Sequence, residues 1–99
     1  MVHYKCMTFE WDEQKNTENK QKHNISFNDA QYAFFDKNRV IIQDDKHSQT
    51  EDRFFCIGQL ENCGIVTVRF TIRNNNIRIF GAGFWRQGRK KYEETNNLH

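Results

Sequence analysis

The fold is decided by residues 64–80, which read GIVTVRFTIRNNNIRIF. Residues 64–73 alternate with the period of two that is typical of a β-strand with one buried face. The apolar face comprises Val66, Val68, Phe70 and Ile72, and the opposite face comprises Thr67, Arg69, Thr71 and Arg73. The three asparagines that follow predict a tight hairpin, because asparagine tolerates positive φ. Residues 77–80 then form the returning strand, and we expect Gly81 and Gly83 to end it.

Other segments add two strands and three helices to this hairpin. Strand patterns occupy residues 40–42 and 53–58, and the short links between strands favour antiparallel neighbours. Helical patterns occupy residues 13–23 after the N-cap Asp12, residues 27–35 after the capping pair Ser26 and Asp29, and residues 85–96. The chain therefore predicts an α+β fold, an antiparallel sheet of about four strands with two N-terminal helices and one C-terminal helix. Residues 1–99 fit a single domain.

The first predicted helix, residues 13–23, contains no apolar side chain. Burial in the core cannot hold such a helix, which would be marginal alone. We expect the flanking apolar residues to anchor it, or a partner to do so. Those flanking residues are Phe9 and Trp11 before the helix and Ile25 and Phe27 after it, with residues 8–11 forming a short extended piece. The second helix differs, because Phe27, Ala30 and Phe34 share one face that can pack on a sheet.

Composition favours a cytoplasmic protein without bound metal. No stretch is long and apolar enough to span a bilayer, and the opening residues lack the apolar run of a signal peptide. Cys6, Cys56 and Cys63 form no C-x-x-C pair, which argues against a disulfide framework or a zinc site, and Cys56 reads as a strand residue. No metal-ligand spacing or glycine-rich phosphate loop stands out. We therefore expect no metal, no cofactor and no membrane contact.

Charge is divided unevenly along the chain. Residues 1–61 carry eight Lys or Arg and eleven Asp or Glu, a net charge of −3. Residues 62–99 carry seven basic and two acidic side chains, a net charge of +5. A surface of one sign either meets a negative partner or stays solvated and self-repelling. Nucleic acid, an acidic protein and a merely solvated face remain open on this evidence.

Arginines and aromatic residues near the end of the chain form one candidate binding surface. Arg69 and Arg73 share the polar face of the sheet, and arginine binds phosphate as a bidentate fork. Phe84 and Trp85 lie beside Arg86 and could stack on unpaired bases. The alternative is that these aromatic rings cover one end of the core.

A second candidate lies in the link between the first two long strands, around His47. This link is dense in titratable groups, including Glu51 and Arg53, and histidine exchanges protons near neutral pH. The alternative is a solvated turn in which Asp45 and Ser48 bond to the backbone. Similarly, the pair of cations at residues 22–23 could simply complement the dipole at the end of the first helix.

Several short motifs are similar to those of the BrnT toxins. They are Phe9-Glu10-Trp11-Asp12, Lys22-His23, Ile25-Ser26-Phe27, His47-Ser48, Thr71-Ile72-Arg73, Ile77-Arg78-Ile79 and Tyr92-Glu93-Glu94. Each motif is weak alone, but their joint spacing over residues 8–94 is specific. The resemblance implies a RelE-like ribonuclease fold, RNA cleavage without metal, and neutralisation by a BrnA-type antitoxin. It also implies that DNA is bound only through the antitoxin complex, and that the assembly is a homodimer or a heterotetramer with the antitoxin.

The resemblance also suggests roles for individual residues. RelE-like chemistry needs cations at the phosphorane, a base for the 2′-hydroxyl and an acid for the leaving oxygen. We assign Arg53 and Arg73 to the scissile phosphate, with Arg78 or Arg86 assisting, and His47 or Glu51 to proton transfer. The remaining candidates for RNA binding are Lys22, His23, Arg69, Trp85, Arg89 and Lys90.

One position departs from the family pattern. Gly83 stands where the family often has arginine, and the glutamate that usually follows a few residues later is missing. Arg86 could replace the lost charge from another position. Otherwise the chain is a catalytically weak or inactive partner that tunes a DNA-binding antitoxin. Stand-alone DNA binding is a weaker alternative, because no recognition helix is evident and a basic surface gives only unspecific binding.

Overall fold

The computed structural model describes residues 8–97, which form five strands and three α-helices. The strands are β1 (Phe9–Glu10), β2 (Val40–Gln43), β3 (Arg53–Leu60), β4 (Gly64–Arg73) and β5 (Asn76–Gly83). The helices are α1 (Glu13–His23), α2 (Phe27–Ala30) and α3 (Arg86–Thr95). The segment Gln31–Phe35 continues α2 as a 3₁₀ helix, and a second 3₁₀ turn covers Asp45–His47. The predicted α+β fold is therefore confirmed.

The strands form one sheet in the order β1-β5-β4-β3-β2. The four long strands pair antiparallel, as predicted. The fifth strand, β1, was expected only as an extended piece. It pairs parallel with β5, with Phe9 opposite Ile77, and so makes the sheet mixed. The amide of Ile77 donates to the carbonyl oxygen of Thr8 at 2.9 Å, which begins this pairing.

The tight hairpin predicted at residues 74–76 joins β4 and β5, and its turn consists of the first two asparagines. Asn74 and Asn75 have φ values of 51° and 64°, the left-handed conformation that type I′ hairpins require. The prediction that Gly81 and Gly83 end the returning strand is wrong, because β5 runs through both. A β-bulge at Phe80 continues the pairing, since Arg69 faces Gly81 while Phe70 faces Ile79.

The core lies between the sheet and the α2 segment. Phe27, Ala30 and Phe34 are buried, as their spacing predicts. Phe34 packs edge-on against Phe70 with ring centroids 4.9 Å apart. Burying each large apolar side chain contributes about 1.5–3 kcal/mol. Ile72 departs from the prediction: it lies at the end of β4 and is 39% exposed.

Two asparagines, the buried Asn19 and the half-buried Asn16, hold the polar helix α1 to the fold. The Asn19 side chain donates to the carbonyl oxygens of Ile25 at 3.0 Å and Ala82 at 2.9 Å, and accepts from the Ala82 amide. Asn16 accepts from the amide of Phe27 at 2.8 Å. The expected apolar anchors also contribute, since Trp11 contacts the ring of Phe27. Polar side chains of α1, which the sequence pattern suggested would face solvent, therefore attach this helix to the rest of the fold.

Helix α3 crosses part of the opposite sheet face. Gly88 allows this close approach, because a Cβ at that position would clash with the Thr67 hydroxyl. The buried Tyr92 donates to the Asp36 carboxylate at 2.5 Å and ties α3 to the segment before β2. The rest of this face stays open. Among residues 8–97, no helix has the length and apolar character needed to cross a membrane.

Candidate active site

The open face of the sheet carries a stacked group of arginine and phenylalanine side chains. The guanidinium carbon of Arg53 lies 4.5 Å from the centroid of the Phe80 ring, and that of Arg69 lies 5.4 Å from it. Such contacts attract cations to an aromatic ring. Gly81 makes room for this group, because a Cβ there would lie 3.3 Å from Cδ of Arg69. The bulge, which the sequence pattern did not predict, lies at Phe80 of β5, whose ring contacts Arg69 of the neighbouring strand β4 and Arg53 of β3 beyond it.

Glu51 gathers a second group of charges at the far end of β4. Both of its oxygens accept from Arg73, at 3.0 and 3.1 Å, and Arg53 lies 3.8 Å away. The hydrogen bond from Arg73 lowers the pKa of Glu51, and the same bond raises the pKa of Arg73. Arg78 pairs with Glu10 at 2.9 Å. The predicted arginines at 73 and 78 are therefore already matched with carboxylates.

His47 borders a cleft of about 480 Å³ between α3, β3, β4 and the loop after β2. Nδ1 of His47 lies 2.7 Å from the carboxylate of Asp44, whose side chain is 11% exposed. Ser48 orders this loop: its hydroxyl donates to the Asp44 carbonyl oxygen at 2.6 Å and accepts from the Arg53 amide at 3.0 Å. The turn expected from Ser48, with its hydrogen bonds to the backbone, is therefore present. His47 in the same turn nevertheless borders a cleft.

Apolar side chains and a few polar groups line this cleft. The lining residues are Ile42, Asp44, His47, Phe55, Ile57, Thr67, Arg69, Trp85, Gln87, Gly88 and Lys91. The arginine at 69 and the tryptophan at 85 were predicted to bind RNA, and the structure brings both to the cleft. The sequence did not indicate the contributions of Asp44, Gln87 and Lys91. For Gln87 and Lys91, the signal in the sequence is their i, i+4 spacing, which places both on one face of the predicted helix. No such signal points to Asp44.

A smaller cleft of about 220 Å³ adjoins the first and shares Arg69 and Trp85 with it. Lys22 and His23 lie in this second cleft, together with Lys15 of the same helix. The rings of His23 and Trp85 meet edge to face, with centroids 5.2 Å apart. The structure therefore places the predicted cations of residues 22–23 next to Arg69. The two clefts form a groove with Arg69 and Trp85 at its centre.

Other predicted residues lie elsewhere. Arg86, Arg89 and Lys90 are exposed on α3 and line neither cleft. Arg89 pairs with Glu93 at 3.4 Å. Only Lys91, the lysine after the predicted one, reaches the groove from the basic run of this helix.

Cys56 and Cys63 do not line the groove. Cys56 is a buried residue of β3, as predicted, and burial raises the pKa of its thiol to about 12. Cys63 is exposed and unpaired. Cys6 lies outside the described residues. Within residues 8–97, no group of three or more His, Cys, Asp or Glu side chains could hold a metal ion.

Comparisons with known proteins give the family. A family model described as the ribonuclease toxin, BrnT, of type II toxin-antitoxin systems matches residues 11–88. The crystal structure of the Brucella abortus ribonuclease toxin BrnT is similar to this one, with a TM-score of 0.60 and 21% sequence identity. The similarity covers 78% of this chain and 94% of that chain. No curated protein sequence matches. The chain belongs to the BrnT family of ribonuclease toxins of type II toxin-antitoxin systems.

Proposed function

We propose that this protein is a cytoplasmic toxin that cleaves RNA without a metal ion and is neutralised by a BrnA-type antitoxin. One observation carries the proposal: a histidine held by a partly buried carboxylate borders the same cleft as Arg69, whose guanidinium lies over an aromatic ring. In the proposed reaction the substrate 2′-hydroxyl loses its proton to a base and attacks the adjacent phosphate, which forms a 2′,3′-cyclic phosphate. The bond from phosphorus to the 5′-oxygen breaks, and that oxygen leaves with a proton from an acid. The enzyme supplies the charge stabilisation and the proton transfers.

Arg69 is the best placed cation for the scissile phosphate. Among residues 8–97 it forms no ion pair with a carboxylate, so its charge remains available to a ligand. Its guanidinium lies over the Phe80 ring, and the guanidinium of Arg53 lies over the same ring. A fixed cation that faces developing negative charge requires little reorganisation during the reaction. We therefore assign Arg69 and Arg53 to the phosphate, and Arg73 and Arg78 to its periphery.

His47 is better suited than Glu51 to move protons. Asp44 accepts from Nδ1–H of His47, which leaves Nε2 as the nitrogen that can exchange a proton with the substrate. Glu51 has both oxygens bound by Arg73 and a lowered pKa, which makes its carboxylate a weak base. We therefore assign Glu51 to holding Arg73 in place.

The second cleft would guide the RNA strand. Lys22 and His23 provide donors for phosphate oxygens, and Trp85 offers a ring on which a base can stack. Arg89 and Lys90, on the exposed side of α3, would add only a salt-dependent attraction.

The antitoxin is proposed from the family, in which toxin and protein partner form a type II pair. DNA would be bound only through that partner, in a homodimer or a heterotetramer. A second candidate function is a silent toxin-like partner. It is favoured by Gly83, where the family arginine is absent and the indole of Trp85 occupies the adjacent space.

Cleavage of labelled RNA by the purified protein in the presence of EDTA tests the proposal. We expect fragments with cyclic phosphate ends, from free RNA or from mRNA on translating ribosomes, and a loss of at least about 100-fold in rate for His47→Ala. Lys46→Ala is the matched control, because Lys46 lies in the same turn and lines neither cleft. Absence of cleavage in both formats, or equal rates for both variants, would contradict the proposal.

A further inference from the structure

We infer that the larger cleft is a subsite for one unpaired nucleobase of the RNA, with Gln87 reading the edge of the base. The inference rests on the proposed function in taking RNA as the ligand. The cleft holds about 480 Å³, within the range of roughly 300–1,000 Å³ typical of sites for small ligands.

The walls of the cleft suit a flat aromatic ring. Ile42, Phe55, Ile57 and Trp85 supply apolar surface. Unstacked bases bind proteins by stacking on aromatic side chains, because every base has a π-face. Trp85 is backed by Gly83, where a Cβ would lie only 2.7 Å from the indole ring. The glycine therefore leaves the space that the indole needs to pack closely against the strand.

Gln87 is the polar side chain that a base in the cleft can reach. Its side chain is exposed at the cleft and forms no hydrogen bond within the described part of the chain. A glutamine amide offers two donors and two acceptor positions, which match the donors and acceptors on a base edge. The Thr67 hydroxyl, although it belongs to a lining residue, is covered by Gly88 of α3 and is closed to a ligand.

The charges around the cleft fit a nucleotide better than an apolar peptide. Arg69 and Lys91 border the apolar walls, and neither is paired with a carboxylate among residues 8–97. A nucleotide combines an aromatic base with an anionic phosphate, which is the combination that this arrangement complements. A base in the cleft would also bring its own ribose towards His47. The subsite therefore selects which nucleotide is cleaved.

Titration with mononucleotides tests the subsite without relying on cleavage. The probes are the four nucleoside 3′-monophosphates, with ribose 5-phosphate as the ligand that lacks a base. The readout is the NMR shift of the Trp85 indole and the Gln87 amide. We expect one nucleotide to bind at least tenfold more tightly than ribose 5-phosphate. Gln87→Leu should reduce this preference at least fivefold, whereas Gln21→Leu, an exposed change on α1 outside both clefts, should not.

The outcomes separate this inference from the proposed function. RNA cleavage combined with equal binding of nucleotides and ribose 5-phosphate overturns the subsite and leaves the nuclease. Selective nucleotide binding that depends on Gln87, without any RNA cleavage, supports the subsite and overturns the nuclease. If Gln87→Leu unfolds the protein, as circular dichroism would show, the smaller change Gln87→Glu replaces it. An unchanged preference in that variant also overturns the subsite.

Discussion

A methyl group added at Gly83 tests whether the absence of a side chain there is required for the position of the Trp85 indole. In Gly83→Ala the new Cβ would lie 2.7 Å from Cε2 and Cζ2 of the indole. Ordinary carbon contacts are roughly 3.5–4.0 Å, so the ring must move by about 1 Å. Trp85 also contacts His23, so this movement disturbs both clefts.

The magnitude follows from two opposing effects. Overpacking lowers the free energy of unfolding by about 1–3 kcal/mol, whereas replacing a strand glycine by alanine raises it by about 0.5–1 kcal/mol. We therefore expect Gly83→Ala to destabilise the wild type by about 0.5–2 kcal/mol. In a Trp85→Ala background the clash is absent, and the same change should stabilise the protein by about 0.5–1 kcal/mol.

Urea denaturation of the four proteins of this double-mutant cycle measures the coupling, with RNA binding as the second readout. A coupling energy of about 1–3 kcal/mol, together with weaker RNA binding by Gly83→Ala, is the expected result. An equal effect of Gly83→Ala in both backgrounds would refute the reasoning, since the glycine would then not be required by Trp85.

Three further predictions concern the charged and aromatic groups. Burial opposes the ionisation of Asp36, but hydrogen bonds led by that from Tyr92 outweigh it and lower its pKa below 3.8. Asp36 therefore stabilises the fold above pH 3.8, and this stabilisation is lost as pH falls through the lowered pKa. In urea denaturation between pH 5 and 2.5, the free energy of unfolding of Asp36→Asn should depend less on pH than that of the wild type. Glu51→Gln should bind RNA more tightly in filter assays and keep cleaving it, because Glu51 only holds Arg73; a 100-fold loss of rate would identify Glu51 as the base. Phe80→Leu should stay folded by circular dichroism and slow cleavage at least about 10-fold, because the two stacked arginines lose their support; an unchanged rate would exclude that role.

The sequence predicted the strands and helices well because their signals are local. The alternation in residues 64–73, the paired asparagines of the turn and the caps at Asp12 and Ser26 all act within a few residues. Gly81 was wrongly predicted to end the strand. A glycine is accommodated within β5 at this position because the Arg69 side chain of the neighbouring strand packs against it. The extended piece at residues 8–11 was predicted, but its parallel pairing with β5 was not, because that pairing joins residues more than sixty positions apart.

The site was less predictable because it depends on tertiary packing. His47 and Arg69 were recognised from residue type, but the hydrogen bond from His47 to the Asp44 carboxylate depends on the geometry of a 3₁₀ turn. Lys91 lines the cleft and Lys90 does not, because the contact between Gly88 and Thr67 sets the orientation of α3 on the sheet. The sequence pattern alone does not predict that orientation.

The most direct test compares RNA cleavage by Arg69→Gln and Arg73→Gln with that of the wild type. The first variant removes a guanidinium at the centre of the groove that forms no ion pair within residues 8–97, and the second removes one already paired with Glu51. We predict that Arg69→Gln slows cleavage by about 100-fold or more, as the loss of a preorganised charge does in other enzymes, and that Arg73→Gln slows it less than about 10-fold. The reverse order, with both proteins folded, would contradict the placement of the scissile phosphate at Arg69.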